Sequence, residues 1–473
     1  MQLNLKNAIN LMLIIFGFLL PIQAVFVLVL HFPNFVQMLY PFITIGFVMC
    51  CFMPLKRLSA SLDKNFIVLF VSLLITMLIS VILNYDAVCS LGMTFSYIVS
   101  NYSKFWDSPD IRLFNWGILR PFLFFIYILI LFVFLNFKNA IKILLKTLII
   151  LAIISSLYSI YQIVAGWVGL PYGSLFSGHA GNEIFLFGKL RRPEGLFYEP
   201  GPQATFLSPI FCILLFQLFE KNKLNSFFSP KITRWIFSLI TFVLIFTFSP
   251  IGILTVLLAT VMSIIINHKK FHFKMTKTNI VKLITVICIG IVFISLITSF
   301  IQKATNKNFT IAKYMLEKIL ISTTVMDSPI IYTNPDSRSV RTYSGIEIFK
   351  DNIIFGCGPG GAISYYFKHI PFTANRKLYD QHAVINTHVK MLCELGILGF
   401  ICYLAVLIYP LFLYIKNYRN LKSNKLLIDS LVISLGIYIT ISYQATLQFW
   451  MPYFWMIYVP LVVLIRKEKY ETK

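Results

Sequence analysis

Charge is scarce in this chain, and acid is scarcer still. Only 12% of the 473 residues are charged, and 18 Asp and Glu face 41 Lys and Arg. Soluble globular chains carry roughly 25% charged residues, so an ordinary soluble domain is excluded. The eight cysteines (50, 51, 89, 212, 288, 357, 393 and 402) show no metal-ligand spacing. Most lie in apolar runs, and only Cys89 and Cys357 fall in loops. The first apolar run, 11–30, lacks a small-x-small cleavage site and reads as a span, not a removed signal. Charged residues are also missing from the middle of the apolar runs. Arg120, Lys282, Glu394 and Asp429 all sit near run ends, and the two halves show no repeat. An ion-coupled transporter would place such charges at mid-membrane.

What remains is apolar length. Hydrophobic residues make up 58% of the chain, in runs that suit a hydrocarbon core of about 30 Å. About twelve spans are expected: 11–30, 35–53, 66–84, 114–135, 145–166, 203–219, 235–248, 250–267, 280–301, 391–415, 426–444 and 449–465. The run 235–267 is too long for one span, and Ser249-Pro250 supplies the break. Cytoplasmic loops collect Lys and Arg. With both termini inside, the basic loops around Arg57, Lys142, Lys223, Lys270 and Arg419, and the tail from Arg466, all fall on that side. The net charge of +23 then reflects membrane orientation and requires no nucleic acid. The fold expected is an all-α integral membrane protein, a single polytopic domain over 1–473, with two large outward loops at 167–202 and 302–390. Loops that long are functional or disordered, and the motifs in these argue for function.

Three charged clusters occupy the outward loops. "RRPEGLFYEPGPQATF" (191–206) holds Arg191, Arg192, Glu194 and Glu199. "DSRSVRTYSGIEIFKDNIIFGCGPGGA" (336–362) holds Arg338, Arg341 and Tyr343. "YDQHAVINTHVKMLCELGILG" (379–399) carries His382 and His388 into span ten. Arginine is a permanently charged fork that fits phosphate oxygens, so the four arginines of the two outer loops suit a lipid pyrophosphate. Glu199 or Glu194 could accept a proton from a hydroxyl, and Pro200 and Pro202 stiffen the backbone beside Glu199. Gly356, Gly358, Gly360 and Gly361 permit a tight turn, without the Lys-Ser/Thr ending of a Walker loop. Plainer roles compete. Interfacial arginines snorkel to headgroups, Glu194 and Glu199 can pair with Arg191 and Arg192, and a lone histidine such as His179 or His369 is usually structural.

Four stretches in order resemble the O-antigen polymerase and O-antigen ligase superfamily of bacterial envelope glycosyltransferases. They are "RPEGLFYEPGPQATFL", "FSPIGILTVLLA", "RTYSGIEIFKDNIIFGCGPGG" and "HVKMLCELGILG". The resemblance implies an enzyme of the bacterial inner (plasma) membrane acting on undecaprenyl-pyrophosphate-linked glycan. A polymerase would join repeat units of O-antigen, capsule or exopolysaccharide, with lipid pyrophosphate as leaving group and no metal or other cofactor. A ligase would pass finished glycan to a lipid core or protein. A flippase for lipid-linked oligosaccharide is the alternative from another class. A chain-length regulator and a flippase are the companion proteins implied, besides membrane lipid. The catalytic candidates are Glu199, Arg341 and His388, with Glu199 and His388 competing as base. Arg191, Arg192, Glu194, Arg338, Tyr343 and Arg120 are expected to bind substrate.

Overall fold

A computed structural model describes residues 2–19, 39–98, 114–171, 192–197, 199–219, 227–267, 338–369, 384, 386–421, 423–442 and 449–471. Regular structure among these residues is all helical. The expected span 280–301 and the stretches 302–337 and 370–383 lie outside the described residues. The helices are α1 (Gln2–Leu19), α2 (Leu39–Cys51), α3 (Leu55–Ser61), α4 (Lys64–Ile98), α5 (Arg120–Leu135), α6 (Ala140–Val168), α7 (Pro200–Gln217), α8 (Pro230–Phe246), α9 (Pro250–Asn267), α10 (Arg338–Asp351), α11 (Ala362–His369), α12 (Thr387–Asn417), α13 (Lys425–Ile437) and α14 (Pro452–Glu471). Among the described residues, five stretches are long and apolar enough to cross a membrane: Lys64–Ala87, Gly117–Leu135, Ala140–Gly166, Thr387–Asn420 and Lys425–Ser442. Shorter apolar helices occupy Leu5–Leu19, Leu39–Cys51 and Ile251–Ile266.

The chain gathers into two compact units, residues 1–149 with 322–473, and residues 150–321. The first is organised around α4 and α12, with α5, α13 and α14 packed alongside. Its core is aromatic. Phe66 lies 5.1 Å from Phe132, 5.7 Å from Tyr458 and 6.2 Å from Trp455, ring centre to ring centre. Such edge and tilted contacts add to the burial of large rings. One end of this unit is basic. Arg57 lies over the Phe137 ring at 4.1 Å, Arg466 reaches the Ser61 carbonyl, and Lys467 donates to the Leu135 carbonyl at 3.0 Å. Glu468, buried at that end, accepts from the backbone N–H groups of Ser423 and Asn424. Basic segments far apart in sequence therefore meet at one end of the helices.

In the second unit α7 packs against α8 and α9. The break expected at Ser249-Pro250 is present. α8 ends at Phe246, Phe248 turns with φ 45°, and α9 begins at Pro250. Proline at a first helical position loses no hydrogen bond, and its fixed φ suits the start. The largest difference from expectation is α4. It runs to Ile98, well past the expected span end at residue 84. Hydropathy marks where a helix leaves the apolar layer, not where the helix stops.

Candidate functional site

Two sets of motifs come together, one in each unit. In the second unit the organiser is a polar stripe on α6. Ser155, Ser159 and Gln162 are spaced four and three residues apart, so they share a face, and all three are fully buried. The segment 192–197 lies along them. Gln162 Oε1 accepts from the N–H groups of Glu194 at 3.0 Å and Gly195 at 2.8 Å. Ser155 Oγ accepts from Leu196 N at 3.3 Å. Gln203, on the second turn of α7, donates to Ser159 Oγ. Gly195 has φ +57°, and a Cβ there would strike the Gln203 amide and the Ser155 hydroxyl. Glycine is therefore required.

This anchoring fixes the charged residues. Arg192 Nε donates to the Thr247 carbonyl at 2.7 Å, so the first sequence motif is tied to the Ser-Pro break of the second. Glu199 is the residue before α7, in extended backbone, and its carboxylate makes no capping bond. Pro200 and Pro202 follow within the first turn. Glu194 and Glu199 are both half-buried, and Arg191 lies outside the described residues. Replacing Gln162 with leucine would strand two buried backbone donors, at about 1–3 kcal/mol each. We expect Q162L to lower the melting temperature and to speed proteolysis between residues 192 and 199. Q162E keeps an acceptor and should be milder. Equal behaviour of both variants would show that the two bonds do not hold the segment.

In the first unit the glycine-rich loop threads into a break in α12. Gly396 has φ 64° and ψ −169°, which interrupts the helix. The groups released there pair with residues 353–358. Cys357 N donates to Cys393 O at 2.8 Å, Gly358 N to Glu394 O at 3.0 Å, and Ile397 N to Ile353 O at 2.8 Å. The buried Ser80 hydroxyl of α4 donates to Phe355 O at 2.6 Å, with Glu394 O 2.9 Å away. Every strand of this weave is backbone, so side chains at the crossing must vanish. A Cβ on Gly356 would lie 2.5 Å from the Gly396 nitrogen. Beneath it, Ile348, Cys357, Ala362, Val384 and Cys393 form a small apolar core that holds α10 and α11 to α12. Burial holds the Cys357 thiol well above its ordinary pKa, with Cys393 beside it a smaller cause.

The weave surrounds a buried ion pair. Lys390 Nζ lies 3.8 Å from Glu394 Oε1, one turn apart on α12, with both side chains almost fully enclosed. Arg341 is half-buried on α10, one turn before Gly345. A Cβ on Gly345 would lie 2.7 Å from Val389, so this face of α10 meets the start of α12. Tyr343 is half-buried on the same helix; Arg338 is its first residue, with a side chain outside the described atoms. Arg120 opens α5 directly after a π-helical turn, Asn115–Leu119. His388 is engaged at both ring nitrogens. Nε2 meets the Ile439 carbonyl at 2.8 Å, and Nδ1 meets the Tyr403 hydroxyl at 3.1 Å. A carbonyl only accepts, so Nε2 carries the proton and Nδ1 accepts from Tyr403. Sequence reasoning overlooked Lys390, although its i,i+4 spacing from Glu394 was a usable signal. It also overlooked Gln162, whose stripe interrupts an otherwise apolar span.

Residues 235–404 match the model of the O-antigen ligase family. Over that stretch the chain is similar to the O-antigen ligase family. The match covers the Ser-Pro break, the glycine-rich loop and the first part of α12 with its break at Gly396, and does not include the 191–206 motif. It supports the O-antigen polymerase and ligase superfamily, whose members are glycosyltransferase-like enzymes. With the apolar helices, this similarity points to a multi-pass membrane protein. No curated protein matches the chain.

Proposed function

We propose that the protein polymerises oligosaccharide repeat units carried on undecaprenyl pyrophosphate, at the outer face of a bacterial inner membrane. The acceptor sugar hydroxyl attacks the anomeric carbon of the donor glycan. A new C–O glycosidic bond forms, the bond from that carbon to the pyrophosphate oxygen breaks, and the lipid pyrophosphate leaves. The hydroxyl proton goes to a carboxylate. Glu199 is the base in this reading, held at the start of α7 by Pro200 and Pro202, while both nitrogens of its competitor His388 are occupied. Arg341 and Arg192 stabilise the pyrophosphate as its charge develops, with Arg191, Arg338, Arg120, Glu194 and Tyr343 binding substrate.

The observation that carries the reading is the Lys390–Glu394 pair, buried beside a glycine weave near the start of a helix long and apolar enough to cross a membrane. Intramembrane ions are costly and mark functional sites by default. A ligase, passing finished glycan to a lipid core or protein, is the second reading, favoured by the family's own description. The test is transfer in vitro, with purified protein, lipid-linked repeat unit and EDTA. We expect a ladder of products and released lipid pyrophosphate, undiminished by the chelator. Transfer to an added core acceptor without a ladder would make the protein a ligase. Transbilayer movement without a new glycosidic bond would make it a flippase. A ladder that collapses in EDTA and returns with a divalent cation would overturn the metal-independent step.

A further inference from the structure

The basic end of the first unit contains a cavity of about 740 Å³. That volume lies within the range of about 300–1,000 Å³ usual for small-molecule sites. It is bounded by the start of α4, the end of α12 and the α14 residues Ile465 and Arg466. Its charged lining is Asp63, Lys64, Lys416 and Arg466. The single acid is consumed internally. Asp63 Oδ1 accepts from the Tyr409 hydroxyl at 2.8 Å and from Phe66 N at 3.0 Å, and Oδ2 lies 3.6 Å from Arg466 Nε. Its charge is therefore spent on the helix start, the tyrosine and the arginine. Lys64 and Lys416, both exposed at the rim, leave the cavity positive.

One wall is apolar, with Phe412 and Leu413. It continues along α12 as an exposed strip: Ile401, Ile408, Phe412 and Ile415 are 46–74% exposed. α12 is long and apolar enough to cross a membrane, so that strip faces acyl chains. A cationic cup at the end of an apolar track has the chemistry of a lipid headgroup seat, and basic pockets between membrane helices hold anionic headgroups. The geometry points to a binding site for a phosphate-bearing anion in this cavity, the phosphodiester of an anionic phospholipid whose chain lies on the α12 strip. This site is separate from the weave and does not rest on the glycosyl-transfer reading.

The test uses the full chain in detergent, with melting temperature followed as phosphatidylglycerol, phosphatidylcholine or inorganic phosphate is added. Phosphatidylglycerol should raise the melting temperature, and phosphatidylcholine should not. In K64Q/K416Q the half-maximal concentration of phosphatidylglycerol should rise roughly ten- to thirtyfold. A matched control, R419Q/K425Q, removes the same charge from the same end outside the cavity and should keep wild-type affinity. Stabilisation by millimolar inorganic phosphate alone, lost in K64Q/K416Q, would keep the anion site and overturn the lipid as its source. Equal loss in both double variants would reduce the effect to general surface charge and overturn the site. Both lysines are exposed, so the variant should fold; an unchanged melting temperature without lipid checks this.

Discussion

R341A should leave the cell surface with single repeat units in place of long chains, while the protein still reaches the membrane. Arg341 is half-buried in the first turn of α10, and Gly345, one turn on, is pressed against Val389. Packing that close fixes the helix face, and with it the base of the arginine side chain. A fixed cation aimed at developing charge is worth about 10²–10³ in rate, or roughly 3–4 kcal/mol of barrier. The loss should fall mainly on kcat, because the charge it meets is largest in the transition state. R341K keeps the charge but loses the planar fork, and should recover part of the activity. The readout is a gel of surface polysaccharide beside a blot for the protein. Long chains that accumulate on the lipid carrier would mean a ligase. An unchanged ladder with normal protein levels would remove Arg341 from the site, and an unchanged ladder on deletion of the whole chain would end the polysaccharide reading.

The features legible in sequence were those set by local chemistry. Ser249-Pro250 announced its break because Ser-Pro-x-Gly supplies a turn and proline suits a first helical position. Pro200 and Pro202 announced the start of α7 for the same reason, and they delivered Glu199 to its edge. Charge placed the loops, since Arg57, Arg466 and Lys467 do meet at one end. Features set by distant partners were not legible. "GCGPGG" reads as a turn, and nothing nearby in sequence says that Gly356 must pass Gly396. His388 was a candidate base because "HVKMLCELGILG" resembles a superfamily motif that begins with histidine. Ile439 lies 51 residues along the chain, and Tyr403, 15 residues on in α12, meets the ring across the break at Gly396. Ile439 lies in a π-helical turn, residues 438–442, which no propensity marks.

G396A should destabilise the protein strongly, as should G356A on the facing loop. At φ 64° and ψ −169° Gly396 occupies a region that only glycine visits freely. The strain alone costs about 1–3 kcal/mol. The added Cβ would also lie 2.5 Å from the Gly356 nitrogen and closer still to the Ile354 carbonyl. Backbone cannot yield as a side-chain tip can, so the loop must withdraw. Withdrawal breaks the bonds of Cys357, Gly358 and Ile397, and the total loss should exceed about 3 kcal/mol. Cys357 reports the event. In the native weave its thiol is fully buried and held above its ordinary pKa, so maleimide at pH 8 meets little thiolate and no open path. In G396A, and equally in G356A, the Cys357 peptide should label many times faster, with a lowered melting temperature. G436A is the control, because a Cβ there meets nothing within 4 Å. That site is the interior of α13, where alanine should be neutral or stabilising by up to about 1 kcal/mol. If G396A melted and labelled like G436A, the loop would not be locked into the broken helix. Glu394 and Lys390 would then lose the backbone that holds them in place, and with it the physical reason for placing a site there.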